Sequence, residues 1–291
     1  MSTLVDDPPR SARPVGFIGL GNMGAPIAEK LAAWPGGLVV TDIRPDATVD
    51  GATRVDSPAE VATTATIIGV TVLDDAQVNE VVAGQGGILE TAQPGTVVVI
   101  HSTIGPRTAI DLAELCAEKN VAVLDAPVSG GAQAAKEGRL AVMVGGERDA
   151  YQRIKEPYAL VSDMLMHAGP IGSGTEMKLA RNLLHFVSFT ATTEAARLAE
   201  AAGIDLVKLG KVVRHTDAIT GGAGAIMLRD TTAPIDPDDF WYDVFTHVRG
   251  LGEKDLRLAL DLGAQLDVDL PLTALALERF ADGLGVGEDR S

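Results

Sequence analysis

"VGFIGLGNMGAPIAEKLA", residues 15–32, reads as a short apolar strand, a glycine turn and a helix in immediate succession. Gly19, Gly21 and Gly24 stand in a G-x-G-x-x-G spacing at that junction, with Leu20, Asn22 and Met23 between them. The first glycine permits a tight turn, the second lets the backbone approach a pyrophosphate, and the third lets helix and strand pack closely. The helix start adds free amide donors and a partial positive charge. A Gly-rich turn alone also has a purely structural reading. Here, however, "LVVTD" follows as the next strand and ends at Asp42, 18 residues beyond Gly24. A carboxylate near that spacing accepts hydrogen bonds from an adenosine ribose, so strand, turn, helix, strand and acid together indicate a dinucleotide site. Asp42 repels a 2′-phosphate and favours NAD. Arg44, two residues on, offers that phosphate a guanidinium and keeps NADP open.

Outward from this stretch, "LVVTD", "TIIGVTV", "TVVVI", "VAVLD" and "LAVMVGG" are further candidate strands alternating with helical patterns, which indicates an α/β unit with a mostly parallel sheet. Several of these runs are apolar at consecutive positions, as in strands buried on both faces. After about residue 168 the pattern becomes helical through "GTEMKLARNLLHFVSFTATTEAARLAEAAG", with Gly203 as a stop. "TGGAG" and "RDTTAPIDPDD" divide the remaining helices. The expected organisation is a flexible tail over 1–14, a dinucleotide-binding domain over 15–168 and a helical substrate and oligomerisation domain over 169–291.

The chain has 291 residues, 46% of them hydrophobic, enough for a core in each of two domains. Its formal charge of −16 repels nucleic-acid phosphates and anionic membranes. Cys116 is the only cysteine, which excludes an intramolecular disulfide and a cysteine zinc site and points to a reducing cytoplasm. No apolar run reaches membrane-spanning length and no His, Asp or Glu spacing suggests a metal.

Two other stretches carry chemistry. In "DAPVSGG", Ser129, Gly130 and Gly131 follow a strand, where consecutive amides and a hydroxyl offer a place for a carboxylate; an ordinary Gly-Gly turn is the alternative. In "GSGTEMKLARNLL", Lys178 and Asn182 stand four residues apart on one helix face, with His185 and Phe189 continuing the stripe. Burial would lower the pKa of such a lysine and suit it to general acid and base work; a surface lysine lifting its ammonium into water is the plain alternative.

"GFIGLGNMGAPIA", "DAPVSGG", "GSGTEMKLARN" and "GLGEKDLRLAL", in this order, resemble the 3-hydroxyisobutyrate dehydrogenase family of β-hydroxyacid dehydrogenases, related to 6-phosphogluconate dehydrogenase. The resemblance runs from about Val15 to the C-terminus. It implies an N-terminal Rossmann domain joined through a long central helix to an all-α domain, which commonly pairs into homodimers or homotetramers. It also implies NAD(P)-dependent oxidation of 3-hydroxy acids or reduction of the matching semialdehydes and oxo acids. By resemblance Lys178 is catalytic, Asn182 holds the substrate, and Ser129, Gly130 and Gly131 bind its carboxylate. Lys254 falls on the cofactor side, and Leu73 and Thr103 match positions lining the nicotinamide or ribose.

The chain departs from the family at several places: Arg181 replaces an asparagine, Ile100 an aspartate beside His101, Asp74 a proline and Ala134 a glycine. His247 replaces a phenylalanine in "FTHVRGLGEKDL", with Arg249 two residues on. These two either reshape the pocket towards a more polar substrate or lie on the surface of a helix-start turn. His101 and His185 read as structural, and the "LDDAQ" acids as a loop cap. Rival functions are an NADPH-dependent glyoxylate or succinic semialdehyde reductase, an imine reductase, which the lysine disfavours, and a non-catalytic dinucleotide sensor, which Lys178 and Asn182 disfavour.

Overall fold

The computed structural model describes residues 13–287. Positions 1–12 of the expected tail lie outside the described residues; at residue 13, the Arg13 carbonyl accepts the Trp34 indole N–H at 3.0 Å.

Strand β1 (Val15–Ile18) is buried at all four positions. Successive side chains point to opposite faces of a strand. Phe17 accordingly joins one apolar cluster with Ile27, Leu124 and Tyr158, while Ile18 joins another with Ile68, Val78 and Ile88. Helices cover both faces of the sheet, which is why its strands are apolar without alternation. Beside β1 lie β2 (Leu38–Thr41), β4 (Ile67–Val70), β5 (Val97–Ile100) and β6 (Ala122–Asp125), and the sheet order is β3-β2-β1-β4-β5-β6-β8-β7, with β9 pairing β8. Here β3 is Thr53–Arg54, β7 Val128–Ser129, β8 Leu140–Gly145 and β9 Ser162–Gly169. From β3 to β6 every pairing is parallel, whereas β8 runs antiparallel to β6 and β7. The chain moves outward from β1 to β3 and returns to β4 on the other side of β1. The order therefore reverses between β1 and β4, the point where open α/β sheets bind ligands beyond their carboxyl ends.

Strands β3, β7 and β9 were not anticipated. The first two are only two residues long. The third carries Met164 and Met166 at 56% and 47% exposure, so it lacks the apolar run of a doubly covered strand. The helices of this unit are α1 (Gly24–Leu31), α2 (Pro58–Thr64), α3 (Asp75–Ala83), α4 (Pro106–Ala117), α5 (Gly131–Glu137) and α6 (Arg148–Tyr158). Ser57 and Asp74 cap α2 and α3, accepting from the Glu60 and Gln77 amides, so the first of the "LDDAQ" acids is a loop cap.

The long helix α7 spans Ser173–Ala201, and Gly203 follows at φ +76°, the left-handed conformation that ends helices. Two compact units divide inside this helix, between Arg181 and Asn182, whereas the sequence pattern changes near residue 168. The second unit contains α8 (Leu206–Thr220), α9 (Phe240–Gln265) and α10 (Pro271–Leu284). Its small core gathers Ile235, Phe245, Leu284 and Val286. Helix α9 starts at Phe240, where Asp239 caps it by accepting the Trp241 amide, so His247 and Arg249 lie well inside a helix and not in a helix-start turn. A Cβ on Gly252 would run into the Phe280 ring of α10, so the two helices pack closely there. No helix among the described residues is long and apolar enough to cross a membrane.

Candidate active site

The glycine turn lies at the β1 end of the reversal point. Gly19 has φ +89°, and a Cβ there would strike the Thr71 carbonyl beyond β4; a Cβ on Gly24 would strike the Gly19 carbonyl. These two glycines are therefore demanded by the fold. Gly21 differs, since a Cβ there would meet nothing within 4 Å, so its bareness faces open space. No acid stands in the first turn of α1 and no side chain caps it; the Ala25 amide bonds the Gly21 carbonyl at 3.0 Å and Pro26 has no N–H, so an anionic ligand would meet the turn amides that precede Ala25.

A cleft of about 670 Å³ opens here, bringing together Gly19, Gly21, Asn22, Met23, Asp42, Arg44 and Leu73. Leu20 and Gly24 form the turn behind it. Asp42 Oδ2 accepts the Leu20 amide at 2.6 Å, and Oδ1 accepts the Arg44 amide and Nε at 2.8 and 3.0 Å. Arg44 also donates to the Leu20 carbonyl at 2.7 Å. Burial would raise the Asp42 pKa, but hydrogen bonds from Arg44 and the Leu20 amide outweigh it and hold the carboxyl below its ordinary value. An ionised carboxylate has more lone pairs than these donors use, so acceptor capacity remains for the hydroxyls of a ribose. The residues present thus fit a dinucleotide: bare amides for pyrophosphate, an anion for ribose hydroxyls, and apolar Ile43 and Leu73, 94% and 81% exposed, at the rim. Ile43 and Gln77 were missed in the sequence, having no spacing signature.

Lys178 is only 9% exposed, and its Nζ donates to the Val128 carbonyl at 2.7 Å. Val128 immediately precedes Ser129, Gly130 and Gly131, with both glycines at positive φ (+128° and +70°) as the chain turns into α5. Lysine and Ser-Gly-Gly turn are therefore neighbours, although about fifty residues separate them in sequence. Burial, followed by the positive charge of Arg181, lowers the Lys178 pKa from 10.5. Asn182 follows one turn later on the same face of α7.

Asp125 was missed. It ends β6 with no exposed surface and accepts the Gly172 and Thr175 amides at 2.8 and 2.6 Å, where α7 begins. Burial raises its carboxyl above the ordinary value, with the amides of Thr175 and Gly172 opposing. Its signal was an acid at the carboxyl end of a buried strand.

The remaining assigned residues have other surroundings. Thr103 is exposed just after β5, and Lys254 is exposed on α9, paired with Asp255 at 3.2 Å. His247 is exposed on α9, whereas Arg249 binds Glu253 at 2.8 Å and the Val286 carbonyl at 2.9 Å. His101 is structural: it is 4% exposed, hydrogen-bonded to the Ala126 carbonyl and the Tyr158 hydroxyl, stacked on Phe17, and lowered by burial to a pKa of about 4. His185 packs against the Phe189 ring at 4.4 Å.

A family model of the NAD binding domain of 6-phosphogluconate dehydrogenase matches residues 14–169. A second, the NAD-binding model of NADP-dependent 3-hydroxyisobutyrate dehydrogenase, matches residues 172–290. The chain is 57% identical to an uncharacterized oxidoreductase of Mycobacterium tuberculosis, covering 94% of this chain and 93% of that one. It is 32% identical to the mitochondrial 3-hydroxyisobutyrate dehydrogenase of Mus musculus, over 91% and 80% of the two chains. Among solved structures, 3-hydroxyisobutyrate dehydrogenase of Mycobacterium tuberculosis with L-serine superposes at a TM-score of 0.65, with 27% identity over 92% and 94% of the chains.

Proposed function

Because the chain belongs to the 3-hydroxyisobutyrate dehydrogenase family and is an NAD(P)-dependent oxidoreductase, we propose that it interconverts a small 3-hydroxy acid and its semialdehyde or oxo acid, with Lys178 as general acid and base. The observation that carries this reading is the nearly buried lysine, held by the Val128 carbonyl beside the Ser-Gly-Gly turn. Oxidation removes a hydride from the carbinol carbon and a proton from its hydroxyl; NAD(P), when bound, takes the hydride. The proton goes to Lys178. One N–H of its neutral amine stays on the Val128 carbonyl, which leaves the lone pair to accept from the substrate hydroxyl. In reduction the ammonium returns that proton to the new alkoxide. Its lowered pKa makes both forms accessible nearer neutrality.

The Ser129 hydroxyl and the amides of Gly130 and Gly131 receive the substrate carboxylate, and Asn182 orients the hydroxyl without adding charge. Lys254 takes the cofactor contact that the resemblance implies, and His247, where the family has phenylalanine, turns the pocket towards a more polar substrate. NAD is the preferred cofactor, since Asp42 stays anionic and Arg44 spends its guanidinium on Asp42 and the Leu20 carbonyl. A buried Cys116, its thiol pushed up to about 11 by burial, suits a cytoplasmic enzyme without redox cysteine chemistry. We also infer a homo-oligomer, supported by the apolar residues that α8 leaves uncovered.

The test follows nicotinamide absorbance while wild type and Lys178→Ala are offered NAD or NADP with a panel of 3-hydroxy acids, and the reduced cofactors with semialdehydes. The expected result is turnover preferring NAD in the wild type and a loss of about 10²- to 10⁴-fold in the variant, with cofactor affinity retained. Unchanged turnover in Lys178→Ala refutes the mechanism. A wild type that binds cofactor but stays silent across the panel favours the sensor.

A further inference from the structure

We infer that Asp125 is the positioning residue for Lys178: its buried carboxylate fixes the start of α7 to the end of β6 and so sets where the lysine's Nζ lies. The inference rests on the reading of Lys178 as general acid and base. Asp125 accepts the Gly172 and Thr175 amides, the orphan donors at the start of α7, and the negative charge also complements the helix dipole. Lys178 comes three residues after Thr175, at about 1.5 Å of rise per residue, so any slip of the helix start passes directly to the lysine. Three residues after Asp125, the Val128 carbonyl receives that lysine's Nζ. One short segment, Asp125 to Val128, thus holds both the start of the helix and the reactive group it carries.

The surroundings leave the helix no slack. A Cβ on Gly174 would collide with the carbonyls of Asp125 and Met143, and a Cβ on Gly145 would collide with Asp125 Oδ1. The first turn of α7 therefore lies directly against the backbones of β6 and β8. A lengthened acid has no room either, so charge alone at this position does not suffice.

The experiment compares wild type, Asp125→Asn, Asp125→Glu and Lys178→Ala. Asp125→Asn is isosteric but places an amide donor or a single acceptor where two donors converge. Its kcat is expected to fall about ten- to a hundredfold, as for a reactive group misplaced by a fraction of an ångström. NAD affinity, measured by calorimetry, should stay within about twofold of wild type, and the deuterium isotope effect on hydride transfer should grow. The pH midpoint of oxidation should rise, because a displaced lysine regains water and its ordinary basicity. Asp125→Glu should fail to rescue. If Lys178→Ala is inactive while Asp125→Asn keeps wild-type kcat and midpoint, this inference is overturned and the role of Lys178 stands. If Lys178→Ala turns over normally, the underlying reading falls and this one with it. Should Asp125→Asn not fold, amide hydrogen exchange of Gly172 and Thr175 in the wild type decides: protection like that of the helix interior supports the cap, and exchange at the open-chain rate overturns it.

Discussion

Arg181 stands three residues after Lys178, less than one helical turn away, at a position where the family resemblance leads one to expect asparagine. Its charge is the second cause, after burial, that keeps the lysine's pKa below 10.5. The consequence has a definite sign. With Lys178 as the proposed acid and base, oxidation needs the neutral amine, so its rate rises with pH through the Lys178 pKa, while reduction needs the ammonium and falls through it. Arg181→Asn removes a repelling cation, stabilises the ammonium and should move both midpoints to higher pH. Near neutrality oxidation then slows, roughly tenfold for every pH unit by which the midpoint rises, and reduction is spared. A pH–rate profile of the variant checks this; an unmoved midpoint shows that solvent screens the charge of Arg181. Asp42 shows how far a single residue was legible. Its spacing from Gly24 announced the acid, but not that Arg44 and the Leu20 amide would hold it ionised, because that depends on side chains folding back on one another.

Helix starts separate the local from the non-local in the same way. Ser57, Asp74, Asp205 and Asp239 cap α2, α3, α8 and α9 from adjacent positions, a pattern visible in sequence. Helix α10 begins after Leu270, which offers no cap, and its Leu272 and Thr273 amides bind Glu194 of α7 at 2.7 and 2.9 Å, with the Thr273 hydroxyl at 2.7 Å. Glu194 is 2% exposed. Burial would raise its pKa, but these donors outweigh it and keep the carboxyl below 4.5. A carboxyl depressed on folding contributes stability that is present above its unfolded pKa and lost as pH falls through the folded value. Glu194→Gln should therefore cost about 1–3 kcal/mol in urea unfolding at pH 7, and the gap should narrow under acid. A cost independent of pH would show that shape, and not charge, secures α10.

At the scale of the whole molecule, α8 has no buried residue in the single chain, yet it carries Leu206, Val207, Val212, Val213 and Ile219 at 39% to 72% exposure. Leu183, Phe186 and Phe189 of α7 are exposed by more than half. Apolar surface on this scale is costly in water and characteristic of an interface. Light scattering should give a multiple of the single-chain mass. Val212→Glu, which puts a charge on α8, should weaken association by about tenfold or more. A monodisperse wild-type monomer removes the proposal.

What the sequence determined by itself lies within short reach along the chain. The glycine spacing, the acid at the end of the next strand, the consecutive apolar strands, the local helix caps and the stop at Gly203 each follow from the conformational needs of neighbouring residues. The α/β fold and the glycine turn with its neighbouring acid were legible for that reason. Tertiary structure decided what depends on partners far apart: the Asp125 cap 47 and 50 residues from its amides, the Glu194 cap 78 and 79 residues away, and the Val128 carbonyl that receives Lys178 across 50. The edge strand β9 belongs with them, because half-exposed methionines keep no apolar run. Backbone amides and carbonyls are present at almost every residue and leave no mark in a sequence, so only folding shows which of them a buried carboxylate or lysine meets.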